Sequence, residues 1–236
     1  MNLPDLLSPK QLAEYLQLSQ RTVYRLLERG DLPAVKVGGQ WRFRKSAVDE
    51  WLDVSMQRLD SDALHALEAD DEGGPGIPRL AELLAPENAM IGIPAGSREE
   101  VVREFVSRVH FPEAVSAELV CERVLERERL CTTAMAGGVA LLHTTRSRPR
   151  VLQAHDLVAI GRIAAPMDFG ALDGSPTDML VLLLARSERA QLGLLARLTR
   201  LCQEPGFLTA LRRAPAADAV VALVRETADR LFAAVP

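Results

Sequence analysis

The amino-acid sequence predicts a two-part chain of class α+β / α/β. A small N-terminal head of short helices and a β-hairpin precedes a larger domain with a mixed β-sheet flanked by helices on both faces. Three observations carry this. The first fifty residues hold two capped helical patterns followed by two short alternating runs. The stretch Asp70-Asp71-Glu72-Gly73-Gly74-Pro75-Gly76 is acidic and rich in chain breakers, as a hinge is. Beyond it, nearly all-apolar runs are interspersed with amphipathic ones, the pattern of strands covered on both faces by helices. The expected domains are residues 1–54 and 77–236. The linker over 55–76 has helical spacing at its start.

Composition narrows the function classes. The 236 residues are 48% hydrophobic and 25% charged, with a net charge of −4. This is an ordinary globular composition without a global basic field, so any nucleic-acid contact must come from a local patch. The amino terminus shows no basic segment followed by an apolar one, so no signal peptide is expected. The longest apolar run, 179–185, is far too short to cross a bilayer. Cys121, Cys131 and Cys202 are odd in number and widely spaced, against a zinc site or a disulfide framework. A reduced, cytoplasmic protein without cofactor, metal or membrane partner is expected. No internal repeat, Gly-x-Gly-x-x-Gly or P-loop is present.

In the head, Ser8 caps a helix, Pro9 takes its first position, and Gln11 stands at capping-box distance. Leu12, Ala13, Tyr15 and Leu16 follow at helical spacing. Ser19 caps a second helix over 20–29 with Val23, Leu26 and Leu27 inward, and Gly30 ends it. Two short helices joined by a tight turn form a helix-turn-helix pattern. Arg21, Arg25 and Arg29 recur every four residues on the outer face, beside Thr22 and Tyr24. Such a face suits phosphates and base edges in a major groove; a solvated charged face has the same pattern. Residues 32–37 and 41–44 alternate as two strands around a loop, Gly38-Gly39-Gln40. Arg42 and Arg44 share one strand face, Trp41 and Phe43 the other, making a basic wing. Ser46 is expected to cap a third helix. Residues 1–52 carry eight Lys/Arg against six Asp/Glu, or +2; the remainder carries 20 against 26, or −6. A DNA-facing head on an acidic body fits this asymmetry. The candidate DNA contacts are Gln20, Arg21, Thr22, Tyr24, Arg25, Arg29, Lys36, Arg42, Arg44 and Lys45. Leu52, Met56, Leu59 and Ala63 follow at heptad-like spacing and could pair two chains into a homodimer.

In the body, helices are expected over 79–84, 97–109, 112–125, 187–203, 205–213 and 215–233. Strands are expected over 90–93, 139–142, 157–160 and 178–185, with 132–136 leading into the second. A loop with an Asp173-Gly174 turn spans 166–177. The chemistry concentrates at His143, which ends the apolar run Val139-Ala140-Leu141-Leu142. Gly137 and Gly138 precede the run, and Arg146, Arg148 and Arg150 follow it. A neutral imidazole is nucleophilic near neutral pH, glycine N–H groups can form an anion nest, and arginines bind phosphate oxygens. Together they suggest a histidine that accepts a phosphoryl group. A histidine at a strand end is also commonly structural.

Two resemblances sharpen these readings. Leu7-Ser8-Pro9-Lys10-Gln11-Leu12-Ala13-Glu14-Tyr15-Leu16, Ser19-Gln20-Arg21-Thr22-Val23-Tyr24-Arg25-Leu26-Leu27, Gly30-Asp31-Leu32-Pro33-Ala34 and Val37-Gly38-Gly39-Gln40-Trp41-Arg42-Phe43 resemble the excisionase-type, MerR-like winged helix-turn-helix module. That implies double-stranded DNA as a partner, with the second helix in the major groove. Val124-Leu125-Glu126-Arg127-Glu128-Arg129-Leu130, Gly138-Val139-Ala140, His143 and the loop from Pro166 to Pro176 resemble the type 2 IIA domain of the bacterial phosphoenolpyruvate-dependent phosphotransferase system, in its fructose, mannitol and nitrogen-regulatory branch. The resemblance covers roughly residues 78–232. It implies an HPr-type phosphocarrier partner, His143 as phosphoacceptor and Arg127 near the phosphate, with Gln191, Thr145 and Arg146 as site neighbours. The sequence departs from the family in three places. Leu142 replaces a proline, Gln191 replaces a second histidine and cannot carry its charge, and the basic residue after the histidine is displaced to Arg146. The expected function is a DNA-binding regulator that senses phosphotransferase status through His143. The rivals are a phosphocarrier passing its phosphate to a separate acceptor, and a DNA-binding protein with a phosphorylation-silent IIA fold.

Overall fold

The computed structural model describes residues 5–16, 18–30, 32–48, 51, 78–145, 149–171 and 173–232. The acidic hinge and the heptad-spaced Leu52, Met56, Leu59 and Ala63 lie outside these residues.

In the head, α1 (Pro9–Leu16) opens on the expected capping box. The Gln11 backbone N–H donates to Ser8 Oγ at 3.3 Å, and the Ser8 N–H to Gln11 Oε1 at 2.9 Å. Leu12, Ala13 and Leu16 are buried, and Val23 of α2 (Gln20–Glu28) joins them. The wing is tighter than expected. β2 (Val35–Val37) and β3 (Gln40–Arg44) meet through the two residues Gly38 and Gly39 alone, because Gln40 pairs with Val37. Both glycines have positive φ, 58° and 78°, as a two-residue hairpin turn matching the strand twist requires. A strand β1 (Leu6–Leu7) that the sequence did not reveal pairs with the other side of β3. Two residues are too few to show a period. Helical structure resumes at residue 45, one residue ahead of Ser46, so Ser46 lies inside the first turn and is not its cap.

The body begins with α3 (Leu80–Leu83) and β4 (Leu84–Ile93). β4 starts six residues earlier than the apolar run suggested, since Pro86, Glu87 and Asn88 mask it. As the sheet's edge, it tolerates that proline. Ser97 caps α4 (Arg98–Ser107) in a full capping box with Glu100. The next helix, α5 (Ala117–Leu130), is shifted about a turn from its expected position: Ser116 accepts from the Leu119 N–H and caps it, whereas Pro112 opens a turn. β5 (Ala134–Met135) and β6 (Val139–His143) form a hairpin around Gly137 and Gly138. After an unanticipated 3₁₀ turn (Arg150–Gln153), β7 (Leu157–Met167) and β8 (Thr177–Leu184) follow. The chain closes with α6 (Glu188–Gln203), α7 (Phe207–Arg213) and α8 (Ala217–Phe232).

The sheet order is β4-β7-β8-β6-β5, with β4/β7 and β6/β8 parallel and β7/β8 and β5/β6 antiparallel. It is the mixed sheet expected. Along β6, Val139 and Leu141 pack with the face covered by α3, α6, α7 and α8, while Ala140 and Leu142 pack with α4 and α5. Burial on both faces explains the unbroken apolar runs. Fully buried residues such as Leu142 and Phe105 each contribute roughly 1.5–3 kcal/mol of hydrophobic stabilisation. The head's core is continuous with the α6–α8 side, so head and body pack together. Among the described residues, no helix is long and apolar enough to cross a membrane.

Candidate functional site

His143 is the last residue of β6, and its partner on the parallel strand β8 is Leu183. The carboxyl end of a parallel pair is where α/β sheets present ligand-binding groups. α6 starts just past β8, capped by Ser187, whose Oγ accepts from the Ala190 N–H at 3.0 Å. His143 Nδ1 lies 2.8 Å from the Leu141 carbonyl oxygen. A carbonyl can only accept, so Nδ1 carries the hydrogen, and in the neutral imidazole the lone pair is then on Nε2. The imidazole is buried, with 3% of the residue exposed, and Thr144 is buried beside it at 1%. Gln191, on the first turns of α6, is buried and donates from Nε2 to the Thr144 carbonyl at 3.2 Å. It thereby holds the chain where it leaves β6. Thr145 is half-buried next to this bond. Arg146 lies outside the described residues.

Arg127 is buried near the end of α5, which lies against β6, and its Nη1 donates to the Cys131 carbonyl at 2.9 Å. Its neighbour Glu128, which the sequence reading passed over, is equally buried. Glu128 accepts from the Thr133 N–H at 3.1 Å and the Thr133 hydroxyl at 2.6 Å, and sits 3.7 Å from the Arg98 guanidinium. Burial raises its pKa above the ordinary 4.5, against the opposing pull of the Thr133 hydrogen bonds and Arg98. The stretch that carries the resemblance includes Glu128, but its burial and partners are not legible there, because they come from α4 and from the connection into β5.

The expected anion nest is corrected by the geometry. Gly137 and Gly138 have positive φ, 87° and 79°, because they turn the β5–β6 hairpin. They sit at the opposite end of β6 from His143, roughly 16 Å away at strand rise. The Gly137 carbonyl accepts from Arg212, which also grips Asp178 through two 2.7 Å contacts. This end of β6 is a structural clasp.

On the head, Gln20, Arg21, Tyr24 and Arg25 are exposed along α2 and Arg29 in the turn just past it, and Arg21, Tyr24, Arg25 and Glu28 line one recess. The side chain of Thr22 lies outside the described residues. Glu28 sets an acid among these cations. On the wing, Lys36 stacks 4.7 Å from the Trp41 ring centre, and Arg44 is exposed. Arg42 is held by the hairpin itself, donating to the Trp41 carbonyl at 2.9 Å and to Gln40 Oε1 at 2.7 Å. Lys45 faces the body: its ammonium is 2.9 Å from Glu188 Oε2.

Burial pushes the Cys202 thiol up to about 12 and raises that of Cys121, leaving both as poor nucleophiles. Among the described residues, no group of His, Cys, Asp and Glu could hold a metal ion.

A helix-turn-helix head packed on a mixed-sheet body, with a buried histidine closing an interior strand, defines the chain as a two-module protein. The family model described as "Phosphoenolpyruvate-dependent sugar phosphotransferase system, EIIA 2" matches residues 82–227, and one described as a helix-turn-helix domain matches residues 6–53. The chain belongs to this EIIA 2 family and carries a helix-turn-helix domain at its amino-terminal end. Nitrogen regulatory proteins of Pseudomonas aeruginosa and Bradyrhizobium diazoefficiens are each 30% identical to it, over 62% and 61% of this chain and 94% of each relative. The crystal structure of nitrogen regulatory protein IIA-Ntr from Neisseria meningitidis shares the fold at a TM-score of 0.52 and 23% identity, over 61% of this chain and 98% of that one.

Proposed function

We propose that the chain is a DNA-binding regulator whose body accepts a phosphoryl group on His143 Nε2 from an HPr-type phosphohistidine. The observation that carries this is the Nδ1–H bond to the Leu141 carbonyl, which presents the Nε2 lone pair as nucleophile. Nε2 attacks the donor's phosphorus in line, the new N–P bond forms as the donor's N–P bond breaks, and the electron pair leaves on the donor imidazole. Positive groups and N–H donors stabilise the charge on the transferring oxygens. The exposed cations of α2 and the wing supply the DNA face. The body's kinship with nitrogen regulatory proteins, together with the head, supports regulation over sugar uptake.

The test is incubation of the full chain with phosphoenolpyruvate, Enzyme I and an HPr-type carrier, read by intact mass, with His143→Ala alongside. One acid-labile phosphoryl group, absent from the variant, is expected. No gain with any such donor rejects the phosphoacceptor and favours the phosphorylation-silent reading, which the burial of His143 and the uncharged Gln191 support. Transfer onward to a separate acceptor, with no duplex DNA binding at any salt, favours the phosphocarrier reading.

A further inference from the structure

The ionic part of the contact between head and body is made by a residue that both DNA and the body would use. Lys45 opens the helix after the wing. Its ammonium lies 2.9 Å from Glu188 Oε2 and 5.0 Å from the Tyr15 ring centre, and the Tyr15 hydroxyl is 3.5 Å from the same Glu188 oxygen. Tyr15 belongs to α1, Lys45 to the end of the wing and Glu188 to the first turn of α6. One body carboxylate therefore meets two elements of the head, α1 and the helix that follows the wing. Lys45 is only 20% exposed in this arrangement, whereas Arg21, Arg25 and Arg44 face solvent.

Glu188 lies three residues, less than one helical turn, before Gln191, whose amide holds the Thr144 carbonyl directly after His143. We infer that Glu188 is a latch that docks the head through Lys45 and Tyr15 in competition with DNA, and that α6 links this latch to His143 through Gln191. A phosphoryl group on Nε2 adds roughly −1.5 to −2 charge and strong acceptors. These acceptors compete for the Gln191 amide, and a shift of the first turn of α6 moves Glu188. The link to phosphorylation rests on the phosphoacceptor reading of His143; the latch does not.

Two measurements on the full chain separate these parts. First, zero-length carbodiimide coupling followed by peptide mapping reports the docked state. A Lys45–Glu188 amide is expected in the free chain and is lost when duplex DNA is bound. No amide in the free chain, or an amide undiminished in the DNA complex, overturns the latch. Second, DNA affinity is compared for wild type, Glu188→Gln and Glu188→Lys, with thermal unfolding to verify folding. Release of a partly exposed pair predicts a rise of roughly two- to fivefold in the unphosphorylated variants; unchanged affinity overturns it. If the wild type accepts phosphate, its DNA affinity shifts on phosphorylation, while Glu188→Gln is phosphorylated equally and shows no shift. An equal shift in that variant overturns the link through α6. Failure of His143 to accept phosphate overturns the site reading and leaves the first two readouts of the latch standing.

Discussion

His143 and Gln191 are tied to the same four-residue stretch of backbone, 141–144, the first through the Leu141 carbonyl two residues before the histidine and the second through the Thr144 carbonyl directly after it. Truncating the amide in Gln191→Ala strips the buried Thr144 carbonyl of a donor and opens a small void. A loss of about 1–3 kcal/mol is expected, measured by urea unfolding of the full chain; no loss would mean that water or a neighbour replaces the amide without cost. Glu128 supplies a pH-dependent term. Its folded pKa is raised by burial, so between its ordinary 4.5 and the raised value the native state holds a proton that the unfolded state has released. The contribution is therefore largest below 4.5, declines as pH rises through that window and is flat above it. Glu128→Gln removes this titration. The stability of wild type relative to the variant is expected to fall from pH 4.5 upward and then level off; a constant difference across that range would contradict the assignment.

The longest strand, β7, is pressed between β4 and β8 with α4 across one face. A methyl group built on Gly161 would lie 2.3 Å from Ile93 Cδ1 and 2.8 Å from the Phe105 ring, so the glycine sets how closely α4 approaches the sheet. Gly161→Ala is expected to cost about 1–3 kcal/mol through overpacking, read as a lower denaturation midpoint with an unchanged m-value. In the head, α2 presents Arg25 to solvent, and Arg25→Ala should weaken duplex binding and reduce the log–log salt slope by about 0.9, the signature of one lost phosphate contact. Unchanged affinity and slope would exclude α2 as the docking helix. Arg42, held by Gln40 and the Trp41 carbonyl, is the less informative site for this test.

At the scale of the molecule, docking and DNA binding are both ionic, and salt weakens both. If the latch competes with DNA, added salt releases the head while it loosens the complex, and the wild-type salt dependence is partly cancelled. Glu188→Gln, lacking the latch, is then expected to show a steeper log–log slope than wild type in titrations from low to moderate salt. Parallel lines would show that docking has no ionic component.

Local signals in the chain were strong enough to determine both modules. The capping box at Ser8, the helix start at Ser97, the inward positions of α1 and α2, and the apolar runs of β6 and β8 depend only on neighbours in sequence. They could therefore be read without a structure. The same holds for His143 as the last residue of a buried strand. What only the tertiary structure decided are relations between distant segments. Leu141 selecting the imidazole tautomer is a matter of strand geometry. Gln191 reaching Thr144, Glu128 meeting Arg98 and Thr133, and Glu188 meeting Lys45 join groups from different elements. Gly137 and Gly138 illustrate the limit best. In sequence they stand a few residues from His143, but an extended strand carries the two ends apart by about 3.3 Å per residue, and only the fold shows that they turn a hairpin at the far edge.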